Sequence, residues 1–340
     1  LALLNELGVN SYRFSISWPR IFPTGLEKSP NQKGLDFYSR IIDTLLEYGI
    51  IPFITLNHWD MPQGLEDKGG WTNRMMSDMF VKYSYYVSKN FGDRVKHWIT
   101  HNEPWCISHI GYITGDKPPG IKNNWVKSLS AAHHLLLSHG MAIPEIKLNS
   151  TNAEVGITLN LSTAIPASPS DEDKVATLFY DDMFNRLFLE PLYNTKYPQS
   201  LFDELKIRNA VKDADLNFIQ ENDLAIIGTR TDFLGVNYYS RGVIRSDQIE
   251  ESQNLPLNVE MGPVTDFGWE VYPRGIYDLL FRLKKEYNVE RIYITENGCS
   301  YSDTPNHDKK VVDKRRIEYH YSHLEELRKA IHDGVNCVGY

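Results

Sequence analysis

The sequence predicts an α/β protein in which helices cover a parallel sheet, and a (β/α)8 barrel is the leading architecture. Strand-like and amphipathic helical stretches alternate over most of the 340 residues. Some strands, such as 50–56, are nearly continuous in apolar residues, which is typical of parallel strands buried on both faces. No composition break or short repeat divides the chain. Residues 1–340 are therefore expected to form one domain.

The first half of the chain gives four of the predicted strands. Each is a short run rich in β-branched and aromatic residues. They lie at 9–17, 50–56, 95–103 and 154–159. Helices are expected beside them because apolar residues recur three or four positions apart. These helices lie at 1–7, 35–48, 77–90 and 125–139.

The second half continues the alternation and gives three further strands. The strands are predicted at 232–237, in the stretch 291–298, and at 335–340. Helices are predicted at 174–187, 275–287 and 313–333. Residues 246–264 have the character of a long irregular loop. In a (β/α)8 barrel the first strand would lie before Leu1 and the eighth would be clipped, so this domain is expected to be incomplete at both termini.

The composition and charge of the chain exclude some classes of binding partner. A net charge of −8 and a pI near 5.8 argue against nucleic acid, which needs a basic surface. No apolar run approaches the ~18 residues of a membrane span. Cys106, Cys299 and Cys337 have neither paired nor metal-type spacing, which favours a reducing, cytoplasmic location. A neutral small molecule is the expected partner, while the oligomeric state stays open.

Polar and aromatic side chains collect where the predicted strands end. In a barrel these carboxyl ends form the active-site face. Amides, an imidazole, phenols and indoles around two carboxylates suit a ligand with many hydroxyls. The residues are Arg13, His58-Trp59-Asp60, Asn102-Glu103, Asn237-Tyr238-Tyr239 and Glu296-Asn297.

Two of these stretches carry a family resemblance. Residues 98–104 (WITHNEP) and 293–298 (YITENG) resemble the two signature motifs of glycoside hydrolase family 1, the β-glucosidase family. Four further segments match in family order: 12–18, 58–62, 235–239 and 268–273. The resemblance implies a TIM barrel and a retaining β-glycosidase, without metal or organic cofactor, that acts on terminal β-D-glucosides. β-Galactosides and β-fucosides are further substrates that the resemblance allows.

The resemblance also implies roles for individual residues. Glu103 would be the acid/base and Glu296 the nucleophile. A retaining pair needs its carboxyl groups ~5 to 5.5 Å apart. Arg13 would keep Glu296 ionised and Tyr239 would steer it. Sugar hydroxyls would bind Asn102 and His58, with Asn237 in support, and Trp105 and Trp269 would form aglycone-side walls.

Plainer interpretations stand beside these roles. Arg13 can be a buried structural ion pair, Asn237 and Tyr239 can cap a strand, and any of the tryptophans can belong to the core. His101 is expected to be a hydrogen-bonded core residue, and no metal site is expected at the histidines 133, 134 and 139.

Two other functions stay open. One is a 6-phospho-β-glucosidase of the same family; the segment 268–273 resembles the branch that acts on unphosphorylated sugars. The other is a non-catalytic carbohydrate-binding relative. Relatives of that kind tend to lose a catalytic glutamate, whereas this chain has both.

Overall fold

A computed structural model describes residues 1–246, 257–258 and 262–340. The chain divides into two compact units, which are described separately below. The first contains Leu1–Leu159, Asn194–Lys196 and Leu205–Gly235. The second contains Asn160–Tyr193, Tyr197–Glu204 and Val236–Tyr340.

The seven predicted strands are present among the described residues and belong to one sheet. These strands are β1 (Ser11–Ser15), β2 (Ile51–Asn57), β3 (His97–Asn102), β4 (Glu154–Asn160), β6 (Phe233–Asn237), β9 (Ile292–Glu296) and β10 (Cys337–Gly339). Their order in the sheet is β1-β2-β3-β4-β6-β9-β10. The pairs β1/β2, β2/β3, β3/β4 and β9/β10 are parallel, as the apolar strands predicted.

A second, small sheet was not predicted. It has the order β5-β7-β8, with β5 (Ala164–Pro166), β7 (Gly242–Arg245) and β8 (Leu257–Asn258). These strands have two to four residues, which is too short to give a periodic signal. The loop predicted at 246–264 therefore contains a strand, and its residues 247–256 and 259–261 lie outside the described residues.

Helices separate the strands of the main sheet. In the first unit they are α1 (Ala2–Glu6), α2 (Trp18–Ile21), α3 (Gln32–Glu47), α4 (Gln63–Glu66), α5 (Met75–Phe91), α6 (Trp125–Asn149) and α10 (Asp223–Ile227). The others are α7 (Asp171–Asp181), α8 (Leu187–Asn194), α9 (Gln199–Ile207), α11 (Arg274–Tyr287) and α12 (Lys314–His332). Short 3₁₀ helices cover Gly70–Thr72 and Asp213–Leu216, and π-helices cover Cys106–Thr114 and Asp182–Arg186. No helix of the described part is both long and apolar enough to cross a membrane.

The core of the first unit is built from large aromatic side chains. Trp18 stacks on Tyr83 with ring centroids 5.0 Å apart, and Trp71 and Phe80 pack around them. The Tyr83 hydroxyl lies 3.1 Å from the carbonyl of Ile16 and 2.9 Å from that of Leu56, which ties α5 to the ends of two strands. Large buried rings that also find a polar partner make this interior specific as well as apolar.

Helix α6 is longer than predicted. The sequence indicated an end at His139, but the helix continues to Asn149 with Pro144 inside it. A proline inside a helix removes the hydrogen bond that its own N–H would donate to residue i−4, here Gly140, and its ring crowds that carbonyl, so the local sequence does not favour the continuation. At Gly140 an added Cβ would lie 2.0 Å from the carbonyl oxygen of Ile226, so glycine permits the close approach of α10. Tertiary packing therefore overrides the local signal.

The predicted helix 174–187 is interrupted in the second unit. Helix α7 ends at Asp181, a π-turn covers Asp182–Arg186, and α8 follows. The buried Asp182 accepts hydrogen bonds from Arg186 and from the Ser200 hydroxyl, and Asp181 accepts two from Arg282. The wider π-turn accommodates these pairs, which a sequence pattern does not reveal.

Candidate active site

Glu103 follows β3 directly and has an unusual backbone. Its φ is +49°, in the left-handed region that few non-glycine residues adopt, and its N–H lies 2.9 Å from the Thr158 carbonyl of β4. The residue is 6 % exposed. The Cys106 thiol donates to its Oε2 at 3.3 Å. Strained residues of this kind concentrate at functional sites, and the tertiary fold holds this one in place.

Asn102 connects three residues from β1 and the end of β2. Its Oδ1 accepts from both terminal nitrogens of Arg13 at 3.3 Å, and its Nδ2 lies 3.3 Å from His58 Nε2. The backbone carbonyl of Asn102 accepts from the Trp59 indole at 3.0 Å. Arg13 also donates to Thr55 at 3.0 Å. The guanidinium can only donate, so it fixes which end of the amide is the oxygen.

Trp105 begins the segment that follows Glu103. Its indole stacks on the His109 imidazole, with centroids 4.7 Å apart and an angle of 14°. Burial lowers the pKa of His109 to about 3, so this imidazole is neutral at pH 7. Both rings lie at the start of the π-helix Cys106–Thr114, and π-turns are frequent at functional sites.

In the second unit, Glu296 is the last residue of β9, and its side chain accepts a hydrogen bond from a tyrosine hydroxyl. The Tyr239 hydroxyl donates to Glu296 Oε2 at 2.6 Å, a short, charge-assisted type of contact. Asn237, at the end of β6, accepts from the Thr295 hydroxyl at 2.7 Å and is 1 % exposed. The backbone N–H of Tyr238 donates to the Glu296 carbonyl at 3.0 Å. The carboxylate is therefore placed by its neighbours on two strands.

Trp269 lies on a braced loop of the same unit and is 45 % exposed. Its ring centroid is 5.3 Å from that of Tyr239. The next residue, Glu270, accepts two hydrogen bonds from Arg241, at 2.8 and 2.9 Å. An exposed indole on a rigid support can contact a ligand with little loss of side-chain freedom.

The hydrogen-bond partners of the Asn297 side chain were not predicted from the sequence. Its amide donates to the Tyr238 carbonyl at 2.7 Å and to the Tyr319 hydroxyl at 3.2 Å, and it accepts from Tyr340 at 2.9 Å. The Tyr319 hydroxyl in turn donates to the Tyr239 carbonyl at 3.1 Å. Cys106 was also missed as a neighbour of Glu103; its i+3 spacing after the glutamate was the available signal.

The predicted site residues thus fall into two groups. The Glu103 group, in the first unit, consists of Arg13, His58, Asn102, Glu103 and Trp105. The Glu296 group, in the second, consists of Asn237, Tyr239, Trp269 and Glu296. Each group contains a strand-end carboxylate, side-chain hydrogen-bond donors and an aromatic ring.

The other candidate residues are placed in the core. His101 is fully buried, bonds Ser138 at 2.8 Å and stacks on Phe80, as expected for a structural histidine. Burial lowers its pKa well below the usual range. Trp71 and Trp98 are buried, whereas Trp59 is half-buried and donates to Asn102.

The three histidines of α6 have structural partners. His133 Nε2 lies 2.9 Å from Asp223, His134 Nδ1 lies 2.9 Å from the Trp71 carbonyl, and His139 Nδ1 lies 2.7 Å from the Thr100 hydroxyl. Each is at most 2 % exposed. They tie α6 to its neighbours.

Comparison with known proteins agrees with the motifs. The family model described as Glycosyl hydrolase family 1 matches residues 1–340. Beta-glucosidase A of Acetivibrio thermocellus is 44% identical over 342 residues, which cover 100% of this chain and 75% of that protein. The 6-phospho-beta-galactosidase of Clostridium acetobutylicum is 34% identical, over 100% of this chain and 76% of that protein. A solved beta-glucosidase from Thermotoga maritima in complex with glucoimidazole has a TM-score of 0.91 and 42% identity, covering 100% of this chain and 74% of that one.

Proposed function

The chain belongs to glycosyl hydrolase family 1, and from this premise we propose that it hydrolyses terminal β-D-glucosides with Glu103 and Glu296 as its catalytic pair. The protein is a glycoside hydrolase with the (β/α)8 fold class of that family, and family 1 enzymes retain the configuration of the anomeric carbon. What remains to be assigned is the part that each residue takes.

In the first step Glu296 attacks the anomeric carbon and forms a glycosyl ester. The glycosidic C–O bond breaks, and the departing oxygen takes the proton of Glu103. In the second step Glu103 removes a proton from water, whose oxygen attacks the same carbon and releases Glu296 as a carboxylate. Support comes from the position of each glutamate at a strand end within its family motif.

The single observation that carries this assignment is the contact between Tyr239 and Glu296. A phenol that donates at 2.6 Å to one carboxylate oxygen fixes the position of that oxygen and thereby orients the other. An ionised, oriented carboxylate is what a nucleophile requires. Glu103, by contrast, is 6 % exposed and accepts only a weak thiol hydrogen bond from Cys106, and its role as acid/base rests on its place in the family motif.

Hydroxyl recognition is assigned to the groups around the two glutamates. Asn102 would bind the sugar 2-hydroxyl, where hydrogen bonds strengthen in the transition state, and His58 the 3-hydroxyl. Arg13 orients the Asn102 amide, and its expected role in keeping Glu296 ionised stays a prediction. Asn237 supports the Glu296 strand through Thr295.

We assign the part of the site that contacts the leaving group to the indoles of Trp105 and Trp269. Trp269 is 45 % exposed on a braced loop, and Trp105 is stacked on a neutral imidazole. Flat, rigid rings of this kind accept aryl groups or the C–H faces of sugars. We also propose that residues 1–340 belong to one barrel domain and that the protein acts in the cytoplasm.

Azide rescue of two variants separates the roles. With an activated aryl β-glucoside, Glu296→Ala should lose turnover, and azide should restore it with an α-glucosyl azide as product. Glu103→Ala should be rescued with a β-glucosyl azide, and substrates with good leaving groups should suffer least. Identical products from the two variants would refute the assignment.

Substrate class is tested with the unmutated protein. Aryl β-glucoside, β-galactoside and β-fucoside, each compared at equal concentration with the 6-phosphorylated glucoside and galactoside, give the ratio of kcat/KM values. We expect the unphosphorylated β-glucoside to be preferred. A preference for a 6-phosphorylated sugar would instead favour the activity named for the Clostridium relative.

A further inference from the structure

Trp59 lies just after β2 in a backbone conformation that is rare for a large side chain. Its φ is +78°, in the left-handed region, where a bulky residue is strained. The side chain is half-buried in the first unit. A strained conformation of this kind persists only where neighbouring groups hold it. The contacts of Trp59 therefore identify the residues that keep it in place.

Polar contacts from three different segments hold this tryptophan. Its backbone N–H donates to Asn57 Oδ1 at 3.0 Å, and its indole N–H donates to the Asn102 carbonyl at 3.0 Å. The Lys117 ammonium lies 4.3 Å from the centre of the indole ring. A cation at this distance is attracted to the electron-rich face of the ring. The two hydrogen bonds thus hold the backbone and the edge of the indole, whereas the cation holds its face.

The backbone that carries Lys117 is fixed. Lys117 lies on the loop after the π-helix Cys106–Thr114 and is itself half-buried. The Gly120 N–H closes a turn on the Lys117 carbonyl at 2.8 Å, and the Ile121 N–H donates to the Gly111 carbonyl at 3.0 Å. The loop is therefore bonded back to the helix that precedes it, and the ammonium is presented to the indole from a defined position.

The indole hydrogen bond ends on the residue that is proposed to bind the sugar 2-hydroxyl. Asn102 is fully buried and directly precedes Glu103. Its side-chain amide is aligned by Arg13 and His58, while its backbone carbonyl is held by Trp59. A side chain follows the backbone to which it is attached, so a shift of this carbonyl would move the amide and the neighbouring carboxylate together.

We propose that Lys117 is a positioning residue for the hydrolysis of β-glucosides. Lys117 holds the Trp59 ring, Trp59 holds the Asn102 carbonyl, and the Asn102 amide thereby stays where the sugar 2-hydroxyl requires it. Lys117 acts through these residues and not by contact with the sugar. The inference rests on the proposed function, since it concerns how Asn102 meets the substrate. One of the two measurements that test it therefore needs no turnover.

The first measurement follows the indole proton of Trp59 by NMR of protein labelled with ¹⁵N-tryptophan. Trp59→Phe assigns its signal among the seven tryptophans. In Lys117→Met this proton should exchange with water about two- to fivefold faster, the range expected for loss of one partly exposed cation–π contact. Lys117→Arg should restore the rate of the parent, because a guanidinium binds the same ring face. Lys122→Met, at an exposed lysine shortly after Lys117, is the matched control and should exchange like the parent.

The second measurement compares an aryl β-D-glucoside with the aryl 2-deoxy-β-D-glucoside of the same leaving group. With the glucoside, Lys117→Met should lower kcat/KM about two- to fivefold, mainly through kcat, because hydrogen bonds to the 2-hydroxyl strengthen in the transition state. With the 2-deoxy substrate the same substitution should have no effect, since Asn102 then has no hydroxyl to bind. Lys117→Arg should recover the parent's ratio between the two substrates, and Lys122→Met should leave both values unchanged.

Equal losses with the two substrates would overturn the proposal, since Lys117 would then affect the reaction without the 2-hydroxyl. An indole exchange rate in Lys117→Met that equals the parent's rate would overturn it as well, because the contact would then hold nothing. A parent protein without turnover of either substrate would instead refute the proposed function, and the exchange rates alone would then decide whether Lys117 holds Trp59.

Discussion

Replacing His139 with asparagine should reduce the loss of stability that acid causes. His139 is fully buried in α6, and burial lowers its pKa from 6.5 to about 3. Between these values the unfolded chain binds a proton that the folded chain rejects. The stability is therefore complete above pH 6.5 and falls as the pH drops toward 3. At pH 5 the cost is 1.5 pH units at 1.36 kcal/mol each, or about 2 kcal/mol.

Asparagine is the appropriate replacement because the hydrogen bond to Thr100 uses Nδ1, the imidazole position that an asparagine amide occupies. The variant should be less stable at pH 7 by about 1–3 kcal/mol, the usual cost of disturbing a buried hydrogen bond. Its further loss between pH 7 and pH 5 should be about 2 kcal/mol smaller than that of the parent.

Urea unfolding followed by tryptophan fluorescence at pH 7, 6 and 5 measures both quantities. His307→Asn is the control, because that side chain is fully exposed and makes no buried contact. The reasoning is refuted if the His139 variant and the parent lose the same free energy between pH 7 and pH 5.

Three further substitutions test individual contacts. Tyr239→Phe removes the donor to Glu296, and kcat/KM should fall about 10- to 150-fold in steady-state assays, since hydrogen bonds to charged groups are worth about 1.5–3 kcal/mol. Asp223→Asn removes the charge of a buried carboxylate whose partner Arg74 is 35 % exposed, and it should lower the urea-derived stability at pH 7 by about 1.5–3 kcal/mol. Cys106→Val removes a donor that favours ionised Glu103, so the basic limb of the kcat/KM profile should move to higher pH.

Residues of the same types that lie outside these contacts serve as controls for the three substitutions. Tyr321→Phe should leave kcat/KM unchanged, and Asp171→Asn should leave stability within about 0.5 kcal/mol. Cys337→Val should leave the pH profile in place. An unchanged profile in Cys106→Val, or equal losses in Asp171→Asn and Asp223→Asn, would contradict the corresponding argument.

The main sheet could be predicted because its strands are short apolar runs bounded by clear breaks. Their centres were placed correctly, while β1 is two residues shorter at each end than predicted. The three strands of the second sheet were missed because none exceeds four residues. In the helix predicted at 313–333, which is α12, the spacing of the apolar residues predicts one buried face, and this face is wrong. Of the apolar residues 317, 321, 324, 327 and 331, only Leu327 is buried, whereas Tyr319 and His323 face inward.

The candidate site was predictable where one motif carries both the residue and its role. Glu103 and Glu296 were identified in this way as the candidate pair, and the predicted proximity of Tyr239 to Glu296 is present as a hydrogen bond. Contacts that depend on distant elements were not found. The link from Tyr319 to Asn297 joins residues 22 apart, and the link from Arg13 to Asn102 joins residues 89 apart. No local pattern encodes such pairs, because tertiary structure creates them.

The Asn297 side chain makes hydrogen bonds to three tyrosines, and these bonds affect the activation entropy of the first chemical step. This amide uses both its donor and acceptor sides on Tyr238, Tyr319 and Tyr340, so the backbone beside Glu296 has little freedom to rearrange. When the glycosyl ester forms, adjustment is left to the torsions of one side chain. The entropy of ordering Glu296, the proposed nucleophile, is then lost during folding rather than at the barrier. Glycosylation should accordingly show an activation entropy near zero, with its temperature dependence dominated by enthalpy.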